Sequence, residues 1–310
     1  MNAAGSLVAV TGAAGFIGYA FCARACAKGV AVRRLVHTPA TDGVAIDLAR
    51  ASAAELARAL DGAQTVVHLA GRAHAAGETT ARFDGVYREA NELATLRLAE
   101  GAINAGVRRF IFASSIKVNG ESTPPGRPFR PDDAPAPQDA YARSKLAAET
   151  ALFDAARGTR MEVVVLRLPL VYGPGVKGNL RALIDAIRDR RWLPVGAIDN
   201  RRSLLGVDNL LDALDVAIGA PSPLRGVHFV ADAASVSTPD LVRAIAHALG
   251  VAPRIATVPV PLLRVAGLLS GRRDAIARLA GSLEADTSSF AAATGWTARR
   301  LSIDAATVVR

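Results

Sequence analysis

The stretch Val8-Ala9-Val10-Thr11-Gly12-Ala13-Ala14-Gly15-Phe16-Ile17-Gly18 constrains this chain more than any other. A short apolar run ends at Thr11. Three glycines follow at a spacing of three, and a helical pattern begins at once. The order is strand, tight turn, helix N-terminus. In such a turn backbone N–H groups can approach a diphosphate, and the helix dipole favours its negative charge. Gly12, Gly15, Phe16, Ile17 and Gly18 are therefore candidate cofactor contacts. The stretch predicts a dinucleotide site at the leading edge of a parallel sheet.

The downstream pattern supports such a sheet. Strands are expected at 30–36, 43–48, 64–71, 109–115 and 163–168. Helices are expected at 16–28, 53–60, 87–104 and 140–156, with Gly29 as a C-cap of the first. Residues 121–139, rich in Pro, Gly and Asp, read as a long loop. This alternation predicts an α/β fold with a doubly wound parallel sheet. Beyond Pro169 the texture changes. A loop runs over 172–179, a helix continues to Arg191, and a strand lies at 226–230. Another helix starts near Thr238, with Thr238 as N-cap and Pro239 at its first position. The expected organisation is a dinucleotide-binding Rossmann domain over 1–170, with returning segments near 203–232. A smaller mixed α/β substrate lobe takes 171–202 and 233–310.

Composition excludes several classes. With 51% hydrophobic and 21% charged residues, the chain is globular. Its apolar runs fall short of the ~20 residues of a membrane span. Met1–Leu7 lacks a basic region followed by an apolar core, so no signal peptide and no membrane partner are expected. The only cysteines, Cys22 and Cys26, lie four apart on the first helix and read as two small buried residues. No His or Cys nearby completes a metal site, and a reducing cytoplasm is expected. The net charge of +9 comes from scattered residues with no basic run, which argues against nucleic acid and suits a small anion.

Two further groups of residues carry chemistry. About 20 positions beyond the glycines, an NAD site places an acid for the ribose hydroxyls. Here that position reads Val36-His37-Thr38, with Arg33 and Arg34 close by. Either these cations tolerate a 2′-phosphate or the arginines are surface residues on a strand end. NAD and NADP are therefore both left open. The second group is Tyr141-Ala142-Arg143-Ser144-Lys145. A Tyr and a Lys four apart share a helix face, so an ammonium sits beside a phenol. The cation should lower the phenol pKa toward the working range, making an acid/base for an alcohol or ketone. Ser115, at the C-terminal end of a strand, can hydrogen-bond the same substrate oxygen. His68, inside an apolar run, reads as a core histidine.

With these residues in order, the sequence resembles the extended short-chain dehydrogenase/reductases, specifically their nucleotide-sugar epimerase and 4-ketoreductase branch. The resemblance covers nearly the whole chain. It rests on Thr11–Gly18, Val67-His68-Leu69-Ala70, Asn91, Ser114-Ser115, Tyr141–Lys145 and Gly295-Trp296. It implies hydride transfer between a nicotinamide and C4 of a nucleotide-diphosphate sugar, UDP- or dTDP-linked. Tyr141 would be the acid/base. Lys145 would bind the nicotinamide ribose and tune Tyr141, and Ser115 would orient substrate. Cofactor contacts would add His37, Asp47, Leu48, Leu69, Ala70, Gly71, Asn91 and Ser114. Substrate contacts would add Lys117, Asn179, Arg202 and Arg278. Dehydratases of the family place Asp-Glu after the catalytic hydroxyl residue. Ile116-Lys117 stands here, which disfavours 4,6-dehydration. The segment Ser114–Glu121, with Asn119 where many epimerases carry Tyr, resembles a bacterial surface-polysaccharide subgroup. A homodimer through helices 87–104 and 140–156 is also implied.

Overall fold

A computed structural model describes residues 6–38, 43–73, 83–221, 223–271 and 273–309. The first half runs β1 (Leu7–Thr11), α1 (Phe16–Ala27), β2 (Val32–Val36), β3 (Gly43–Ala45), α2 (Ala53–Ala59), β4 (Ala63–His68), α3 (Asp84–Tyr87), a π-helical segment (Arg88–Leu93), α4 (Ala94–Asn104), β5 (Arg109–Ser115), a 3₁₀ turn (Ile116–Val118) and α5 (Ala140–Ala156). The second half runs β6 (Glu162–Leu168), β7 (Leu170–Tyr172), α6 (Gly178–Arg188), β8 (Leu204–Gly206), α7 (Val207–Gly219), β9 (Gly226–Phe229), α8 (Thr238–Ala248), α9 (Val260–Leu269), α10 (Arg273–Ala280), α11 (Ser288–Thr294) and α12 (Ala305–Val308).

Seven parallel strands form the central sheet in the order β3-β2-β1-β4-β5-β6-β9. Strand order reverses beside β1, and ligands of such sheets bind outside the carboxyl ends at that point. Both faces are covered, which is why the strands read as continuous apolar runs. Alternation along β1 sends Val8 and Val10 to a core shared with α1 and α7. Ala9 points to the opposite core, beneath α2, α4 and α5. Arg24 on α1 pairs with Asp212 and Asp215 on α7, fixing those two helices side by side. A third apolar cluster joins α6, α8, α9 and the chain end around Ile184, Ile245 and Leu263. A small parallel pair, β7 and β8, connects it to the sheet. There Tyr172 donates to Asp232, which also accepts from Gly206 N–H and Asn209.

Three local expectations are corrected. Residues 87–104 are not one regular helix, because a π-helical turn around Asn91 interrupts them. Such a turn re-aims a side chain, and Asn91 points to the backbone of Arg72. The α8 N-cap is Ser237, whose hydroxyl accepts from Asp240 N–H, so Thr238 stands inside the helix. Cys22 is buried, but Cys26 is exposed on the solvent side of α1.

Candidate active site

The glycine turn is built by close approach. Gly12 has φ +68°, and a Cβ there would lie 2.7 Å from Ala70 N. A Cβ on Gly18 would lie 2.1 Å from the Gly12 carbonyl oxygen. Both contacts are with backbone, so neither can yield cheaply. Gly15 is the N-cap of α1 and offers no side-chain acceptor to the first-turn N–H groups. Phe16 and Ile17 continue from it into the sheet core. A backbone cradle at an uncapped helix N-terminus fits a dinucleotide diphosphate.

The cradle rests on a buried polar chain. Thr11 Oγ1 accepts from Ala70 N–H (3.2 Å) and lies 2.6 Å from His68 Nδ1. His68 Nε2 lies 2.9 Å from Thr95 Oγ1, which donates to the Asn91 carbonyl. With Thr95 donating to that carbonyl, its oxygen must accept from His68, so the ring is the Nε2–H tautomer. Nδ1 then accepts from Thr11. Burial pushes the His68 pKa down to about 3, and Lys145 adds to the effect. His68 is thus a core histidine, satisfied at both nitrogens.

Leu69, Ala70 and Gly71 leave β4 at this point. A Cβ on Gly71 would meet Asn91 Oδ1 at 2.8 Å and Lys145 Nζ at 3.4 Å. Three expected cofactor residues, Gly71, Asn91 and Lys145, therefore converge. Asn91 Nδ2 also donates to Ser144 Oγ, tying the π-helical turn to α5. His37 is exposed just after β2, and Asp47 and Leu48 follow β3 at the neighbouring sheet edge. Asp47 accepts from Ala49 N–H. Arg33 turns its guanidinium to the carbonyls of Ala59 and Asp61, which removes it from the argument for a 2′-phosphate.

The acid/base tyrosine is the second residue of α5. Asp139 caps this helix, accepting from Ala142 N–H at 2.7 Å. Ser115 stands close enough to the Tyr141 phenol to lower its pKa, and its Oγ accepts from Lys117 N–H at 3.2 Å. Tyr87 packs edge-on to Tyr141 at 6.1 Å between ring centroids. Lys145 Nζ donates to the Ala113 carbonyl (2.9 Å) and lies 4.5 Å from the Phe112 ring centroid.

These surroundings reverse one expectation. Desolvation pushes the half-buried Tyr141 phenol up to about 12, with Ser115 opposing and Asp139 and Tyr87 adding to the rise. Burial also takes Lys145 down to about 8, while Glu149 opposes. The Tyr141 phenol therefore keeps its proton at neutral pH in this structure. The Lys145 ammonium is directed at a carbonyl and an aromatic face instead of stabilising phenolate.

Ser114 turns away from Ser115. It donates to Glu149, which makes a buried bidentate pair with Arg167. Arg167 also donates to Asn119 Oδ1 at 2.9 Å, so Asn119 is a strut beneath the site. Lys117 pairs with Asp139 and with Glu121 (2.8 Å), and its Nζ lies 6.0 Å from the Tyr141 ring centroid. Glu121 also attracts Arg202, whose own guanidinium donates to the carbonyls of Arg278 and Gly281. Lys117, Arg202 and Arg278 thus form one cluster running from Tyr141 toward α10. Burial and the neighbouring Arg278 hold the Arg202 pKa down. Asn179 is exposed at the start of α6. Sequence reasoning missed Asp139, Glu121 and Glu149. Only Asp139 carried a local signal, as an acid standing immediately before a helix.

The chain is similar to known proteins over most of its length. A sequence model of the NAD dependent epimerase/dehydratase family matches residues 8–230. A UDP-glucose 4-epimerase from Vibrio cholerae is 38% identical over 296 residues, covering 93% of this chain and 90% of that protein. A dTDP-6-deoxy-L-talose 4-dehydrogenase (NAD(P)(+)) from Kitasatospora kifunensis is 32% identical, covering 82% of each. Among solved structures, MoeE5 in complex with UDP-glucose and NAD superposes with a TM-score of 0.74. It is 29% identical and covers 94% of this chain and 93% of its own. The cradle, the tyrosine–lysine pair and these similarities place the chain in the NAD(P)-dependent epimerase/dehydratase family of extended short-chain dehydrogenase/reductases.

Proposed function

We propose that this chain is a 4-epimerase of a nucleotide-diphosphate hexose, with a UDP-linked sugar as first choice. The carrying observation is the Tyr141 phenol beside Ser115, one helical turn before Lys145. It occurs in a chain similar over 93% of its length to a UDP-glucose 4-epimerase. When bound, the nicotinamide would accept and return a hydride. Gly12, Gly15 and Gly18 would hold its diphosphate, and Asn91, Gly71 and Lys145 would border the ribose. Ser115 would orient the C4 oxygen. Tyr141 would take its proton on oxidation and return it on reduction. For Tyr141 to act as base, the positive charge of the oxidised cofactor must lower a phenol that burial holds near 12. Arg202 and Arg278 would meet the sugar-nucleotide diphosphate, with Lys117 and Asn179 beside the substrate.

A 4-ketoreductase is the second reading. It is favoured by the absence of an acid after Val36 and by the 32% identity to a 4-dehydrogenase named for NAD(P)(+). Incubating the protein with UDP- and dTDP-sugars, with and without added NADPH, separates the two. An epimerase equilibrates C4 epimers without net consumption of NADPH. Tyr141→Phe should lose about 10²–10⁴-fold in turnover while still binding the dinucleotide. A Tyr141→Phe variant as active as wild type would refute both readings. The resemblance of Ser114–Glu121 supports a role in surface-polysaccharide sugar biosynthesis. That Cys22 and Cys26 form no disulfide supports a cytoplasmic location. The resemblance likewise supports a homodimer through 87–104 and α5.

A further inference from the structure

No helix among the described residues is long and apolar enough to cross a membrane. Contact with a bilayer surface is a different geometry, and α9 has the features it needs. Only Leu263 and Gly267 of α9 are buried. Leu262, Val265, Leu268 and Leu269 are exposed by 60%, 55%, 64% and 82%. They are four of the ten large hydrophobic residues that are exposed among the described residues, gathered on one helix of ten. At about 100° per residue, Leu268, Val265, Leu269, Leu262 and Ala266 fill an arc of roughly 160°. Leu263 and Gly267 face the opposite way, into the third cluster. Arg264 borders the apolar arc, and Arg273 follows just beyond the helix; both are exposed.

Charge and size indicate what meets this ridge. Two exposed arginines, Arg264 and Arg273, flank the ridge, and α9 itself carries no acid. An anionic surface is complementary to this segment, and a second copy of it is not. A stable protein interface draws on about 20–30 residues a side. This ridge offers five outward apolar side chains on a helix about 15 Å long. That is too little for a dimer seam but suits a helix lying at a headgroup boundary, with apolar residues down and arginines at the phosphates.

We propose that α9 docks the enzyme on an anionic phospholipid bilayer, inserting Leu262, Val265, Leu268 and Leu269 with Arg264 and Arg273 on lipid phosphates. The docking is independent of what the active site turns over. It is tested by co-sedimentation of the full chain with vesicles of phosphatidylcholine alone or with phosphatidylglycerol added, at low and high salt. Binding is expected on the anionic vesicles only, and to weaken with salt. Leu268→Ser with Leu269→Ser should weaken it at least about ten-fold, and Arg264→Gln about five-fold. Catalytic turnover should be unchanged in these variants, which confirms that they are folded. In Leu268→Trp, added anionic vesicles should shift the emission of the new indole to the blue relative to wild type. Equal sedimentation on both vesicles, or a double serine variant that binds like wild type, would overturn the proposal. A vesicle-free dimer that the double serine variant converts to monomer would overturn it too, assigning the ridge to a second copy.

Discussion

Lowering the pH from 7 to 5 should remove about 2 kcal/mol of folding stability through His68 alone. The ring accepts from Thr11 at Nδ1 and donates to Thr95 from Nε2, and it is 1% exposed. A second proton on Nδ1 would face the Thr11 hydroxyl hydrogen, whose oxygen is already held by Ala70 N–H. The Lys145 ammonium disfavours that charge further. Folding thus depresses the histidine pKa from 6.5 to about 3. Between those values the unfolded chain binds a proton that the native chain refuses, so stability falls as pH falls. The loss is about 2 kcal/mol at pH 5 and about 5 kcal/mol once pH drops below 3. Urea unfolding at pH 7, 6 and 5 measures it, comparing wild type with His68→Gln by the change across pH. His228 is also held down by burial, so His228→Gln serves as the control. If wild type and His68→Gln lose the same stability between pH 7 and 5, the tautomer and the network are wrong. A His68 ring proton that titrates by NMR near 6.5 would refute them as well.

Two other changes test the scaffold of the site. Gly18→Ala places a Cβ against the Gly12 carbonyl, where only backbone can move, and should cost about 1–3 kcal/mol and weaken dinucleotide binding. Thermal unfolding and cofactor titration check both effects, and unchanged values would refute the close approach. Arg167→Met leaves Glu149 buried without its cation and should cost about 3–5 kcal/mol. Adding Glu149→Leu should recover much of the loss, as read by denaturant unfolding.

Much of the fold was legible because its signals are local. β5 at Arg109–Ser115 and α5 at Ala140–Ala156 fall where the apolar runs and breakers put them. Each rests on periodicity and on the residues that start and stop an element. The glycine spacing likewise announced a turn that backbone must approach. The π-helical turn at Asn91 had no such signal, because it is set by a hydrogen bond to Arg72, nineteen positions away. The partners of Lys117, Ser114 and Arg33 were equally invisible, since each comes from a different element.

Tyr141 and Lys145 show the division most clearly. Their spacing by itself determined that a phenol and an ammonium share one helix face. How protons are held there was decided by tertiary structure. Desolvation raises the half-buried phenol and lowers the buried amine, and the Ala113 carbonyl fixes where the ammonium points. Desolvation depends on what covers a group, and spacing along one helix does not specify that.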